Sequence, residues 1–188
     1  CQPCTDLRSH PEQRTRFMSP HPDASQIRLR SMRADDIPQV AALDHLSFAD
    51  PWPQGSFDYE LKANNYSLCL VAEDPAAAEG GNIVGALVIW LIVDEAHIAT
   101  IAVHPDHRHR GIGRRLLAEG LLQAAERGAV KSLLEVRSGN AEALHLYYGF
   151  GFKAVGLRPN YYPTEQEDAL LLDLDPLDVE FLRNLKQI

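Results

Sequence analysis

Cysteine is scarce: Cys1, Cys4 and Cys69 are the only three in 188 residues. Two lie close together in a polar stretch and the third sits in the apolar run Tyr66–Ala72, which is no disulfide framework. Cys69 reads as a small buried hydrophobe in a reduced compartment. Long apolar runs are missing as well. None reaches the roughly 20 residues that cross a bilayer, and the first residues lack the apolar core of a secretory signal. These absences predict a cytoplasmic protein without membrane contact. Positive charge is also in deficit, with 18 Lys and Arg against 26 Asp and Glu and a net charge of −8. That balance disfavours direct nucleic-acid binding and suits cationic partners. There is no internal repeat.

Residues 1–25 contain Pro3, Pro11, Pro20 and Pro22 but no periodicity, and read as a disordered leader in which Met18 is a candidate start. Regular patterning begins at Gln26. Ile27–Met32 alternates as an edge strand does. Asp35 and Asp36 place negative charge at the start of a helix with Ile37, Val40, Ala41 and Leu43 on its apolar face. Asp50-Pro51-Trp52-Pro53 breaks the chain before a short helix over 56–63. Tyr66–Glu73 and Ile83–Val93 read as strands joined through the Gly80-Gly81 turn, and Ala96–Val103 as a third. Gly111–Arg127 is helical, with Ile112, Leu116, Leu117, Leu121 and Ala124 on one stripe and Gly128 as a stop. Lys131–Val136, Lys153–Arg158 and Ala169–Leu174 are further strands, and Ala141–Tyr148 is a helix. An amphipathic helix follows Pro176. The order β-α-α-β-β-β-α-β-α-β-β predicts an α/β (α+β) fold: a mixed sheet with helices on its faces, one domain over 26–175 and a helical extension over 176–188.

The sharpest local feature runs from Ile101 to Gly113 and leads into Arg114. A strand ends, a basic loop follows, and Gly111 and Gly113 open a helix. Glycine lets backbone amides approach a ligand. Free N–H groups at the positive end of a helix then form a cradle for a pyrophosphate, with Arg108, Arg110 and Arg114 adding charge. A glycine-softened loop beside a solvated basic patch reads the same residues blandly. The dinucleotide fingerprint fails on glycine spacing, and a Walker loop fails because no Gly-Lys-Ser/Thr follows. His104, His107 and His109 lie in the same solvated loop, where phosphate is a simpler use for them than metal; no metal is expected.

Arg108-x-x-Gly111-x-Gly113 is followed by Asn140-x-x-Ala143-x-x-Leu146-Tyr147-x-x-x-Gly151-Phe152. Together, in this order, these segments resemble the acetyl-CoA-binding core of the GNAT superfamily of N-acetyltransferases. Glu135-Val136-Arg137 ahead of Asn140, Asp50-Pro51-Trp52, and Arg158-Pro159-Asn160-Tyr161-Tyr162-Pro163 are similar to the RimI type, the bacterial ribosomal-protein-alanine N-acetyltransferases. The likeness runs from Ile27 to Leu174, dense after Ala96 and thin before Pro51. One departure is Gly149, a glycine at a helical position where the family usually has a bulkier or charged residue; it costs about 1 kcal/mol against alanine and favours an early end to the helix that carries Tyr147.

The resemblance implies a sheet of about seven mostly antiparallel strands, splayed between its central strands at a bulge. It implies acetyl-CoA as co-substrate, with its pantetheine arm added as a strand to the backbone of Ile101, Ala102 and Val103 and its pyrophosphate on the segment Arg108, His109, Arg110, Gly111, Ile112, Gly113 and Arg114. An amide near Val103 would polarise the thioester. Asn140 would bind the cofactor, although it also suits a helix N-cap. Glu135 would be the general base and Tyr147 the general acid, with Tyr147 also against the cofactor. Their bland alternatives are an ion pair of Glu135 with Arg137, and a tyrosine packed on the sheet. Trp52, Glu135, Tyr161 and Tyr162 would line the acceptor site. The implied acceptor is a basic N-terminal peptide of a ribosomal protein beginning with alanine or a similar small residue, met by a monomer or weak dimer. A lysine side chain, a small-molecule amine, or a non-catalytic acyl-CoA-binding role stay open.

Overall fold

Seven strands form one sheet in the order β1-β2-β3-β4-β5-β7-β6 in the computed structural model of the chain, which describes residues 26–76, 82–162 and 166–187. The 1–25 segment, Gly80-Gly81 and Pro163 fall outside the described residues. In chain order the elements are β1 (Arg28–Ser31), α1 (Ile37–Ser47), α2 (Ser56–Lys62), β2 (Ser67–Asp74), β3 (Asn82–Ile92), β4 (Glu95–Val103), α3 (Ile112–Glu126), β5 (Lys131–Arg137), α4 (Ala141–Gly149), β6 (Lys153–Tyr162), β7 (Glu167–Leu174) and α5 (Val179–Gln187). All neighbouring pairs are antiparallel except β4 with β5. The expected mixed, mostly antiparallel sheet is present.

Burial explains the layers. Ile83–Ile89 is buried at every position, as a central strand covered on both faces must be. On one face Leu116, Leu117 and Leu121 of α3 pack with Leu87, Ile89, Leu134 and Leu182. On the other, Val40 and Leu43 of α1 and Phe57 of α2 pack with Val71, Val88 and Ala102. The apolar stripe read from 112–124 is the buried stripe of α3. Gly120 lies where α3 crosses β3: a Cβ there would come within 2.4 Å of Leu87 Cδ2. Leu177, Leu182 and Leu185 of the C-terminal segment are buried in the same core as α3.

Most element bounds shift by one or two residues from the sequence expectation, and two differences have a clear physical cause. β6 continues past Arg158 to Tyr162, with an irregular register between those residues and a positive φ of 51° at Asn160. Its residues are exposed almost throughout, so hydrophobic alternation had little to report. The helix at α1 starts at Ile37 rather than at the two aspartates, which lie in a preceding 3-10 turn over Ala34–Asp36. Asp36 accepts the Arg33 N–H at 2.7 Å and two bonds from Arg30, at 2.6 and 2.9 Å. Arg30 also grips Glu73 at 3.0 and 3.1 Å, clamping β1 to β2 and to the start of α1.

Candidate active site

A single extra residue opens the sheet. The β3–β4 register passes from Val88↔Thr100 to Ile89↔Ile98, leaving Ala99 as a bulge. Before it, Ala96 and Ile98 face the α3 core; after it, Ile101 and Val103 face that core and Ala102 faces the other. One inserted residue reverses which side each later side chain takes. The parallel ladder with β5 stops at the same place, at Ile98↔Leu134. Beyond it β4 and β5 diverge, leaving backbone groups of 99–103 turned toward an open cleft. Ile101 and Val103 serve the core with their side chains, so the backbone is what they offer the cleft.

Two cavities meet at this splay. One, of about 220 Å³, is lined by Thr100, Ile101, Asn140, Ala143 and Tyr147 among others. The second, of about 580 Å³, is lined by Glu60, Trp90, Arg158 and Tyr161 among others. Trp52, Glu135 and Tyr162 line both. Of the residues singled out in the sequence, Ile101, Asn140 and Tyr147 therefore meet on one side, Tyr161 stands on the other, and Trp52, Glu135 and Tyr162 form the join. Ala102, Val103 and the segment Arg108–Arg114 line neither cavity. That segment follows the end of β4: a Cβ on Gly113 would lie 3.5 Å from Val103 Cγ2 and 3.7 Å from Leu146 Cδ2.

The loop has the build of an anion cradle. Gly111 has φ 75° and begins α3 without a side-chain cap, so the first-turn N–H groups of Ile112, Gly113 and Arg114 have no intrahelical acceptor. The Ile112 side chain is buried; only its backbone can serve a ligand. Arg108 Nε donates to Val103 O at 3.2 Å, tying the loop to the end of β4. Glu142 sits 3.9 Å from the Arg108 guanidinium and 3.4 Å from His109 Nε2. Asn140 Oδ1 accepts the Ala143 N–H at 3.1 Å as the N-cap of α4. These residues fit a diphosphate: main-chain donors at a helix start, Arg108, Arg110 and Arg114 in the same segment, and no side chain on Gly111 or Gly113 to block approach.

Glu135 lies on the face of β5 opposite Leu134 and Val136, which enter the core. Its ion-pair partner is Arg158, whose guanidinium is 2.6 Å from Glu135 Oε1. Arg137 lies 3.7 Å from Glu167 and covers the Tyr162 ring at 3.9 Å from its centroid. The Glu135 carboxylate beside the Tyr161 hydroxyl is the chief cause that raises the pKa of Tyr161. Tyr147 is 5% exposed, and burial pushes its hydroxyl above the usual tyrosine value. α4 runs through Gly149, one residue past the expected end at Tyr148, so the glycine does not shorten the helix, and Tyr147 is packed edge-on to Phe152. Trp52 stacks against both Phe57 and Trp90, and its backbone N–H donates to the buried Asp44 at 2.7 Å.

Arg158, Arg137, Thr100, Glu60 and Trp90 line this site without having been singled out as site residues. Arg158 was visible only as part of a motif; its partnership with Glu135 depends on the β6–β7–β5 pairing, which no local pattern encodes.

Comparison with known proteins agrees with this architecture. A putative ribosomal protein bS18-alanine N-acetyltransferase of Bacillus subtilis is 37% identical over 144 residues, covering 77% of this chain and 92% of that protein. The ribosomal protein bS18-alanine N-acetyltransferase of Salmonella typhimurium is 36% identical over 141 residues, 74% of this chain and 90% of its own. The crystal structure of the ribosomal-protein-S18-alanine N-acetyltransferase from Escherichia coli superposes with a TM-score of 0.70 at 30% identity, covering 80% of this chain and 94% of that one. The profile of the Acetyltransferase (GNAT) family matches residues 37–152. The chain belongs to the GNAT acetyltransferase family and is an N-acetyltransferase that uses acetyl-CoA.

Proposed function

We propose that the protein acetylates the N-terminal amine of a ribosomal protein that begins with alanine or a similar small residue, with Glu135 as general base and Tyr147 as general acid. The observation that carries this reading is the position of Glu135 at the junction of the two cavities, with Tyr147 lining the smaller one. The smaller cavity suits the acyl donor and the larger one the acceptor. The names of the relatives supply the acceptor class.

Acetyl-CoA supplies an electrophilic thioester carbonyl. The first-turn amides of α3, with Arg108, His109, Arg110 and Arg114, would hold its diphosphate, and the backbone of Ile101, Ala102 and Val103 would hold its arm by strand addition. Asn140 would flank the arm while capping α4. An amide near Val103 is the candidate donor to the carbonyl oxygen.

The acceptor amine must lose its proton to become nucleophilic. Glu135 takes that proton at a carboxylate oxygen, directly or through one water. Arg158 holds the same carboxylate and fixes its direction. Tyr147 keeps its proton near neutral pH because burial disfavours the phenolate. It is then a weaker acid than a free tyrosine. The offsetting factor is that a thiolate leaving in the same buried cavity is a stronger base than in water. Trp52, Tyr161 and Tyr162 wall the acceptor strand.

Incubation with acetyl-CoA and a library of peptides, each with one free α-amine and one lysine, tests the reading by mass spectrometry. Acetyl on the α-amine of peptides with a small first residue is the expected product. Acetyl confined to lysine would replace the acceptor class, and tight acetyl-CoA binding with no transfer would make the protein a binder rather than an enzyme.

A further inference from the structure

The acceptor cavity contains a carboxylate that the proposed reaction does not use. Glu60, near the end of α2, is 8% exposed and lines the cavity that also holds Glu135. Its Oε2 accepts three hydrogen bonds, from the Ser67 hydroxyl, from Asn64 Nδ2 at 2.8 Å and from Trp90 Nε1 at 2.9 Å. All three donors are neutral. Its Oε1 has no hydrogen-bond partner among the described residues, and no Lys or Arg among them pairs with it. A carboxylate taken this far out of water without a cation is costly unless something supplies one. Its field reaches Cys69, whose thiol is pushed up to about 11 by burial first and by Glu60 second.

The other charges in this cleft are already engaged. Arg158 is bound to Glu135 and His97 Nε2 lies 2.7 Å from Glu95. Around Glu60 the walls are aromatic: Trp90 is bonded to it, and Trp52 stacks on Trp90 with centroids 6.3 Å apart. A buried carboxylate beside tryptophan faces selects a cation that can stack as well as pair, above all a guanidinium.

We infer that Glu60, Trp52 and Trp90 form a subsite for a cationic side chain within the first few residues after the acceptor amine. The inference rests on the acceptor reading given above, since it fills the acceptor cavity with a peptide. Glu60 also ties α2 to β2 and β3 through its three bonds, and the test must separate that structural use from recognition.

Citrulline has the shape of arginine without its charge. Peptides with a small first residue and either arginine or citrulline at position 2, 3 or 4 isolate the charge one position at a time. At one of these positions the wild type should prefer arginine by about tenfold or more in kcat/KM, as expected when a buried charge gains its partner. In Glu60→Gln, which keeps an oxygen to accept the three bonds, that ratio should fall toward one. Equal use of both peptides at every position by the wild type overturns the subsite whatever the variant does. A ratio that survives Glu60→Gln, with both peptides slowed alike, assigns Glu60 a structural role only. Absence of transfer to any peptide removes the acceptor reading itself, and the subsite with it.

Discussion

Glu135 is held by a neighbour, the Arg158 guanidinium, 2.6 Å from its Oε1. A base held this way is aimed but not sealed, because its side chain remains 30% exposed. Replacing it with glutamine keeps the shape and removes the proton acceptor. Glu135→Gln and Tyr147→Phe should each lower turnover by about 10²–10⁴-fold. Calorimetric affinity for acetyl-CoA should persist in both, since neither belongs to the diphosphate loop. Unchanged turnover in either variant removes that residue from the mechanism. At this scale the sequence was informative where a residue carries its own local signature. Asn140 precedes a helix and caps it; Glu135 interrupts an apolar strand and faces the cleft. Arg158 and Glu60 have no such signature. One acquires its meaning from a strand two positions away in the sheet, the other from burial against tryptophans brought in by β3 and the α1–α2 loop.

Elements were legible in proportion to how strongly one face is buried. The α3 stripe stands out because its leucines repeat at helical spacing, whereas exposed β6 offers no contrast and its last residues fall outside the strand expected over Lys153–Arg158. Gly120 shows packing overruling propensity: alanine is the better helix former, yet its Cβ would meet Leu87 and Ile89 at 2.4 and 2.9 Å. Gly120→Ala should therefore destabilise by about 1–3 kcal/mol despite the propensity gain, read as a lower urea midpoint. Gly111 differs, since a Cβ there would meet nothing within 4 Å and only its φ of 75° resists substitution. Gly111→Ala should cost about 1–2 kcal/mol of backbone strain and weaken acetyl-CoA binding as the loop shifts. The Arg30 clamp adds a pH signature. Hydrogen bonds from Arg30 chiefly hold Asp36 and Glu73 below their ordinary carboxylate values of 3.8 and 4.5. A depressed folded-state pKa contributes stability that is complete above the unfolded value and is lost as pH falls through the folded one. Asp36→Asn should therefore be less stable than wild type at pH 7, with the gap closing below about pH 4. A gap that persists undiminished in acid would show that shape, not charge, sets the clamp.

The whole molecule is two leaves of sheet joined along a short seam. Strands β1 to β4 form one and β5 to β7 the other, and the pairing between them extends only over Glu95–Ile98 with Lys131–Leu134. Sequence patterning does not reveal that seam, because a one-residue bulge at Ala99 leaves alternation intact on either side and changes only its phase. The opening is stable because α3 and the buried leucines of the C-terminal segment bind both leaves from behind, so the cleft stays wide while the back of the sheet stays closed. A ligand that pairs with β4 inside the cleft adds to this assembly without remaking it. Saturating acetyl-CoA should raise the unfolding temperature, by an amount equivalent to about 2.7 kcal/mol at a hundredfold excess over its Kd. Hydrogen exchange should slow at the amides of 99–103 and 112–114, and much less in β1 and β2. Coenzyme A without the acetyl group should protect the same amides, because the diphosphate and the arm provide the grip. Protection of β6 near Tyr161 and Tyr162 should require the acceptor peptide in addition. Protection spread evenly over the sheet would instead mean that the donor stabilises the fold from outside the cleft.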